Sequence, residues 1–196
     1  MRIAYRAAIA ALAVFGPASA ASGQTVIELR GSSTRYRFVD LNHTFGNKLL
    51  LDALYIGVPG MNELYLGSGY AWSPSKRFSL TPILYGVVGK ENRERGVVLS
   101  ALVTGQAGRF KALGFGGRFF RTSGDVSSYD FLDSLDLTLA LGSWEAGASG
   151  GFFHQARDWS VLVGPTLKRN DSHGAWALSL RWGDDTEVRL IRVVTF

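Results

Sequence analysis

Hydrophobic and polar residues alternate with a period of two along most of the chain after its first twenty residues. Between Trp176 and Trp182 the order WALSLRW places two tryptophans and two leucines on one face and Ala, Ser and Arg on the other. The runs 135–142, 144–152 and 159–168 alternate in the same way. A helix would scatter these positions around its axis, so the pattern predicts β-strands.

Turn signals rich in Gly, Pro, Asn, Asp and Ser separate these runs. They are Gly31 to Thr34, Gly46-Asn47, Pro59 to Asn62, Ser73 to Lys76, Glu91 to Arg95, Gly108-Arg109, Ser123 to Ser128, Gly142-Ser143, Arg157-Asp158, Asn170 to His173 and Gly183 to Asp185. Eleven turns delimit twelve strands, and ten or fourteen would follow from merging or splitting the ambiguous N-terminal segments. The alternation slips between Arg35 and Phe45, where we expect a β-bulge.

The first twenty residues differ from the rest of the chain. A basic start is followed by the short apolar run Ala7 to Phe15, and Ala18 to Ala20 reads small-x-small, the pattern that signal peptidase cleaves. The apolar run is shorter than the ~20 residues that a membrane-spanning helix needs. We therefore expect residues 1–20 to be a cleaved signal peptide and residues 21–196 to form a single domain.

Composition excludes several classes of protein. The 196 residues contain no cysteine, which rules out disulfides, thiolate metal sites and a catalytic thiol. The net charge is +5, and removal of Arg2 and Arg6 with the first twenty residues leaves 19 − 16 = +3, which is too small to indicate a nucleic-acid-binding surface. Beyond the N-terminus, no apolar run approaches the ~18 residues of a membrane helix.

The tryptophans favour a membrane barrel over a soluble one, a distinction that alternation alone does not make. They bound the apolar faces, with Trp72, Trp144 and Trp176 near one predicted rim and Trp159 and Trp182 near the other. Such paired aromatic girdles are typical of the two membrane interfaces. The longest predicted connections are residues 90–96 and 122–128. Both fall at one end of the predicted barrel, as expected for outer loops opposite short periplasmic turns.

The final residues carry a resemblance to a known class. The chain ends on Phe196, and Leu190 and Val194 share its face. In this it resembles the bacterial outer-membrane β-barrel proteins, whose last strand typically ends in an aromatic residue read by the barrel assembly machinery. The resemblance implies a transmembrane antiparallel up-and-down β-barrel in the outer membrane, surrounded by lipid. Arg192 departs from the pattern, because on that face it must snorkel or be turned inward by a bulge.

If the tryptophan faces meet lipid, the opposite faces line a lumen. Its predicted charged residues are Glu28, Arg30, Asp52, Arg118, Asp136, Glu145, Lys168 and Arg181. Four acids against four bases predict weak ion selectivity. The same charges could instead form a paired network that props the wall open or plugs it. Leu54, Ile56, Tyr85 and Phe153 are bulky inward residues that should narrow the lumen.

Candidate catalytic chemistry is sparse, and we predict no catalytic residue, metal or cofactor. The histidines His43, His154 and His173 form no compact metal-binding motif. His154 faintly resembles the histidine of the lipid A deacylase barrels, but the serine that follows two positions later in that family is Ala156 here. Ser73 to Lys76 reads SPSK without the companion motifs of penicillin-recognising enzymes.

These observations predict a narrow porin-like channel or a structural component of the outer membrane. Two alternatives stay open. One is an outer-membrane enzyme that modifies lipid, and the other is a barrel that binds a partner protein of the envelope. A small solute is a further possible ligand, but the residues identify none.

Overall fold

The structure, a computed structural model, describes residues 23–89, 95–124 and 127–196. The predicted signal peptide lies outside these residues. They form thirteen β-strands, which are β1 (Gly23–Ser32), β2 (Arg37–Phe45), β3 (Leu49–Val58), β4 (Met61–Tyr70), β5 (Trp72–Ser75), β6 (Phe78–Gly89), β7 (Arg95–Ala107), β8 (Phe110–Ser123), β9 (Tyr129–Leu141), β10 (Trp144–Gln155), β11 (Asp158–Asp171), β12 (Gly174–Gly183) and β13 (Thr186–Thr195). In the described part of the chain, no helix has the length and hydropathy needed to cross a membrane.

Twelve of the described strands close into one antiparallel barrel. Each strand pairs with its neighbours in sequence, β1 pairs with β13, and β4 pairs with β6 across the short strand β5. β5 adds only a brief extension to the edge of β6. The prediction of an up-and-down barrel of about twelve strands is confirmed.

The two ends of the barrel differ in their connections. We call the end where β1 begins and β13 finishes the terminal rim, and the opposite end the loop rim. At the terminal rim, two-residue turns join β7 to β8 and β9 to β10. Each turn begins with a glycine in the left-handed region, Gly108 at φ 61° and Gly142 at φ 68°. The longer β6–β7 and β8–β9 connections lie at the loop rim, and their residues 90–94 and 125–126 are outside the described set.

The outer surface is apolar. Leu178 and Leu190 pair across β12 and β13 and are both 51 % exposed. A large apolar surface of this kind is unfavourable in water, whereas lipid chains solvate it well. The five tryptophans are all exposed, with Trp72, Trp144 and Trp176 beside the terminal rim and Trp159 and Trp182 beside the loop rim.

The N-terminal strands are more regular than the sequence suggests. β2 pairs with β1 without a register shift from Phe45 to Arg37, so the predicted bulge in this segment is wrong. The alternation slips there because Phe38 points inward and joins a buried cluster, which puts apolar residues on both faces of β2. A break in register lies instead in β9, between Leu132 and Ser134.

Arg192 stays on the outer face without a bulge. Its Nη1 donates to Asp171 Oδ2 at 2.6 Å, and its guanidinium lies 4.9 Å from the centre of the Trp176 ring. The side chain therefore satisfies its charge at the terminal rim, which is the snorkelling arrangement.

Candidate functional site

The candidate site is the lumen of the barrel, and the structure places most of the predicted charged residues on its wall. Register and burial put seven of the eight on the inner face: Glu28, Arg30, Asp52, Asp136, Glu145, Lys168 and Arg181. The bulky residues Leu54, Ile56, Tyr85 and Phe153 also face inward and border interior cavities.

Arg118 differs from the prediction, because the structure places it on the outer face. Its side chain is 53 % exposed, donates to Asp130 Oδ1 at 3.2 Å, and lies 5.5 Å from the Phe120 ring. The physical reason is that Phe115 and Phe119 of the same strand point into the lumen. Both faces of β8 thus carry aromatic residues, and alternation cannot show which face meets lipid.

Three arginines and three carboxylates form a buried ion-pair network in the half of the lumen nearer the loop rim. Arg30 donates to Glu28 and to Asp133. Arg189 Nη1 lies 3.4 Å from Asp133 Oδ1, and its Nη2 lies 3.4 Å from Glu187 Oε1. Arg181, with a side chain only 2 % exposed, pairs with the other oxygen of Glu187. The network connects β1, β12 and β13 with β9.

Asp133 reaches this network because of the irregularity in β9. Phe115 pairs with Ser134 and Gly116 pairs with Leu132, which leaves Asp133 without a cross-strand partner on β8. The extra residue turns its carboxylate into the lumen, where Tyr36 Oη also donates to it at 3.0 Å. Bulges commonly redirect side chains in this way. Asp133 was not predicted from the sequence. A signal was present, because Leu132 and Leu135 both face outward although they are three positions apart, which regular alternation does not allow.

A second polar cluster lies towards the terminal rim around Glu145, which is 2 % exposed. Lys111 Nζ lies 2.6 Å from Glu145 Oε1, and Lys168 Nζ lies 3.8 Å from Oε2. Asn170 Nδ2 and Thr138 Oγ1 complete the environment at 2.8 and 3.2 Å. The single carboxylate is therefore compensated by two ammonium groups.

Apolar side chains fill the β2–β9 side of the lumen, which is unusual because the interior of a membrane barrel is commonly polar. The buried cluster comprises Phe38, Leu50, Leu54, Tyr65, Ile83, Tyr85, Val87, Val98, Phe115, Phe119 and Tyr129. Inner glycines make room for two of the rings. A Cβ at Gly67 would collide with Tyr85, and one at Gly96 would collide with Phe119.

Three interior cavities together extend from rim to rim, and the middle and lower cavities lie partly side by side, because the middle one also reaches Gly174 at the terminal rim. The upper cavity, of about 410 Å³, lies towards the loop rim, the middle cavity is about 360 Å³, and the lower cavity, towards the terminal rim, is about 450 Å³. Four side chains border both the upper and the middle cavity: Phe38, Leu54, Tyr85 and Phe115. We call these four the constriction. Leu113 and Lys168 border both the middle and the lower cavity.

The lumen carries more acid than the sequence indicates. The inner faces of the described strands hold the carboxylates Glu28, Asp40, Asp52, Glu63, Asp133, Asp136, Glu145 and Glu187 against the cations Arg30, Lys111, Lys168, Arg181 and Arg189. Lys76 and Arg77 add to the wall of the lower cavity from the β5–β6 turn. The expected balance of four acids and four bases is therefore wrong for the strands.

His154 lies on the outer face, near the loop rim. Its ring stacks on Trp159 with centroids 4.1 Å apart, and Nδ1 lies 3.4 Å from Asp130 Oδ2. Ser160, on the adjacent strand, borders the interior cavity instead. The imidazole thus has a carboxylate beside it, while this nearby serine lies on the other side of the wall. No group of three potential metal ligands occurs within the described ranges.

Comparison with solved structures places the fold among the porins. The KdgM porin matches with a TM-score of 0.62 at 10% sequence identity, over 88% of this chain and 98% of that chain. The NanC porin matches with a TM-score of 0.61 at 9% identity, over 87% and 98% of the two chains. No protein-family model and no curated protein matches the sequence. The likeness therefore concerns the fold, which is that of outer-membrane porins.

Proposed function

We propose that this protein is a narrow porin-like channel of the bacterial outer membrane, which passes small polar solutes. The observation that carries the proposal is the set of three cavities that together extend from one rim of the barrel to the other. The apolar outer surface and its two sets of tryptophans support a position across a bilayer.

The division of the lumen into two sides supports a small passage. The apolar cluster occupies the β2–β9 side, and the ion-pair network holds charged groups on the β12, β13 and β1 side. Arg30 connects the two, because its guanidinium lies 4.1 Å from the centre of the Phe38 ring in the constriction. A solute at this level must pass between an apolar wall and a hydrogen-bonded polar wall.

The charged residues of the lumen favour a different solute from the ligand of one similar porin. KdgM has been solved in complex with a disordered oligogalacturonate, which is a polyanion. Here the guanidinium groups of Arg30, Arg181 and Arg189 are all engaged by carboxylates. We therefore propose that small neutral or cationic solutes pass more readily than polyanions.

Planar-bilayer recording tests the channel. Protein comprising residues 21–196, refolded in detergent and added to a bilayer in symmetric salt, should produce discrete single-channel openings of small conductance. The same preparation left unfolded serves as the control. If the refolded barrel shows no openings at any salt concentration or voltage, the channel is refuted, and a structural role in the membrane becomes the better explanation.

We further propose that membrane lipid and the assembly machinery are the partners of the barrel, the latter through β13 and Phe196. Phe196 is 72 % exposed, so its ring is free for recognition. Its backbone bonds to Thr25 in both directions, at 2.9 and 3.2 Å, and thus joins the seam between β1 and β13.

A further inference from the structure

Two carboxylates in the middle cavity have no compensating cation among the described residues. Asp40 of β2 and Asp52 of β3 both line this cavity. Asn42 pairs with Asp52 across the two strands, and Asp40 pairs with Leu54, so the carboxylates are diagonal neighbours on one face. The two carboxyl groups are therefore close enough to hydrogen-bond to each other, so a shared proton competes with any cation for this position.

Besides this mutual contact, each carboxyl group accepts from one neutral donor. Tyr85 Oη donates to Asp52 Oδ2 at 2.7 Å, and Asn42 Nδ2 donates to Asp40 Oδ2 at 3.2 Å. The two Oδ1 atoms are buried and accept no hydrogen bond within the described part of the chain. Asp52 as a whole is only 7 % exposed. Buried oxygens without a donor are costly unless another group satisfies them.

The cations that border the same cavity are already engaged. Arg30 pairs with Glu28 and Asp133, and Lys168 pairs with Glu145. Neither forms an ion pair with Asp40 or Asp52 in the described structure. Any cation that compensates the pair must therefore come from outside the described wall, as a mobile ion in the lumen.

We propose that Asp40 and Asp52 form a binding site for a small cation, an alkali metal ion or a primary ammonium group, held between the two Oδ1 atoms. The site borders the constriction, because two constriction residues adjoin it. Tyr85 donates to Asp52, and Leu54 is the cross-strand partner of Asp40. A fixed negative charge beside the narrowest part of a pore concentrates cations there and repels anions. The channel should therefore prefer cations, an expectation that rests on the proposed function.

Reversal potentials under a KCl gradient test the selectivity. The wild-type barrel should show a K⁺ to Cl⁻ permeability ratio above one, and the double variant Asp40→Asn/Asp52→Asn should bring it towards one. The matched control is Asp130→Asn/Asp171→Asn, which removes the same charge from the outer face and should leave the ratio unchanged. A conducting wild-type barrel without cation preference, or a double variant with an unchanged ratio, would overturn the proposal while leaving the channel intact.

Cation binding can also be measured without conductance. In detergent, wild-type protein should unfold at a higher temperature in KCl than in N-methylglucamine chloride of equal ionic strength, since the bulky cation does not fit between two side chains. The Asp40→Asn/Asp52→Asn variant should lose this difference, and the outer-face control should keep it. An equal unfolding temperature in both salts would mean that the carboxyls share a proton instead, which overturns the site. If no variant conducts, the channel fails separately, and this measurement alone decides on the site.

Discussion

Arg30 of β1 donates to Asp133, the extra residue of the β9 bulge, across the lumen of the barrel. The same carboxylate accepts from Arg189 of β13 and from Tyr36. One irregular residue in one strand thus provides the counter-charge for two arginines that come from the seam where the barrel closes. The network links the closing strands to the far wall.

Neutralising Asp133 should destabilise the barrel strongly. In Asp133→Asn, two buried guanidinium groups lose a counter-ion, and breaking a buried pair from one side typically costs about 3–5 kcal/mol. The free energy of unfolding in urea, measured in lipid vesicles, gives the value. Asp130→Asn is the control, because Asp130 pairs with the exposed Arg118 and such surface pairs contribute about 0–1 kcal/mol. Equal losses in the two variants would contradict the role given to the bulge.

Arginine substitutions on adjacent residues should distinguish the two faces of β12. Leu178→Arg puts a charge among lipid chains and should cost about 2–4 kcal/mol of unfolding free energy near the bilayer midplane. Ala177→Arg puts the same side chain into the lower cavity and should cost much less. Urea unfolding in vesicles compares them. If Ala177→Arg proved the more costly, the assignment of the faces would be inverted.

Removing a ring from the constriction should widen the passage. Phe115→Ala opens space between the upper and middle cavities, so the single-channel conductance should rise. The matched control is Phe120→Ala, which truncates the same side chain on the outer face of the same strand. The buried truncation should also cost about 3–5 kcal/mol, so the folded fraction of each variant is checked before recording. Unchanged conductance in a folded Phe115→Ala barrel would show that these side chains do not limit the flow.

Phe196 should matter for assembly more than for stability. Its ring is largely exposed, so Phe196→Ala should change the unfolding free energy by only about 0.5 kcal/mol or less. The backbone bonds to Thr25 persist in that variant. If the assembly machinery recognises the ring, Phe196→Ala should reduce the amount of folded barrel in outer membranes. The shift between heated and unheated samples on a gel measures that amount. A wild-type level of assembled Phe196→Ala would contradict the recognition.

Much of the fold could be predicted from local patterns. In β12, the alternation of Trp176, Leu178, Leu180 and Trp182 with small and polar residues identifies the lipid face without reference to any other strand. The prediction failed where both faces carry apolar residues, as at Phe38 in β2 and Phe115 in β8. There the pattern has no preferred side, because the lumen itself contains an apolar cluster.

The candidate site was harder to predict, because its members meet only across the closed barrel. Arg30 and Asp133 are separated by 103 positions in the chain, and their contact needs both the closure of β1 on β13 and the bulge in β9. Asp40 was not expected in the site, although it lies next to the slip in alternation. Asp40 matters because no cation among the described residues pairs with it. The neighbouring strands decide which side chains surround it, so its own strand does not show this.

By itself, the sequence determined most of the strands, their approximate number and the apolar face of each regular strand, because alternation is a property of each strand and does not depend on distant partners. Only the tertiary structure decided which charges compensate one another, where the lumen narrows and which side of β8 is inside. Those properties depend on distances across the barrel, and closure brings strands together from opposite ends of the chain.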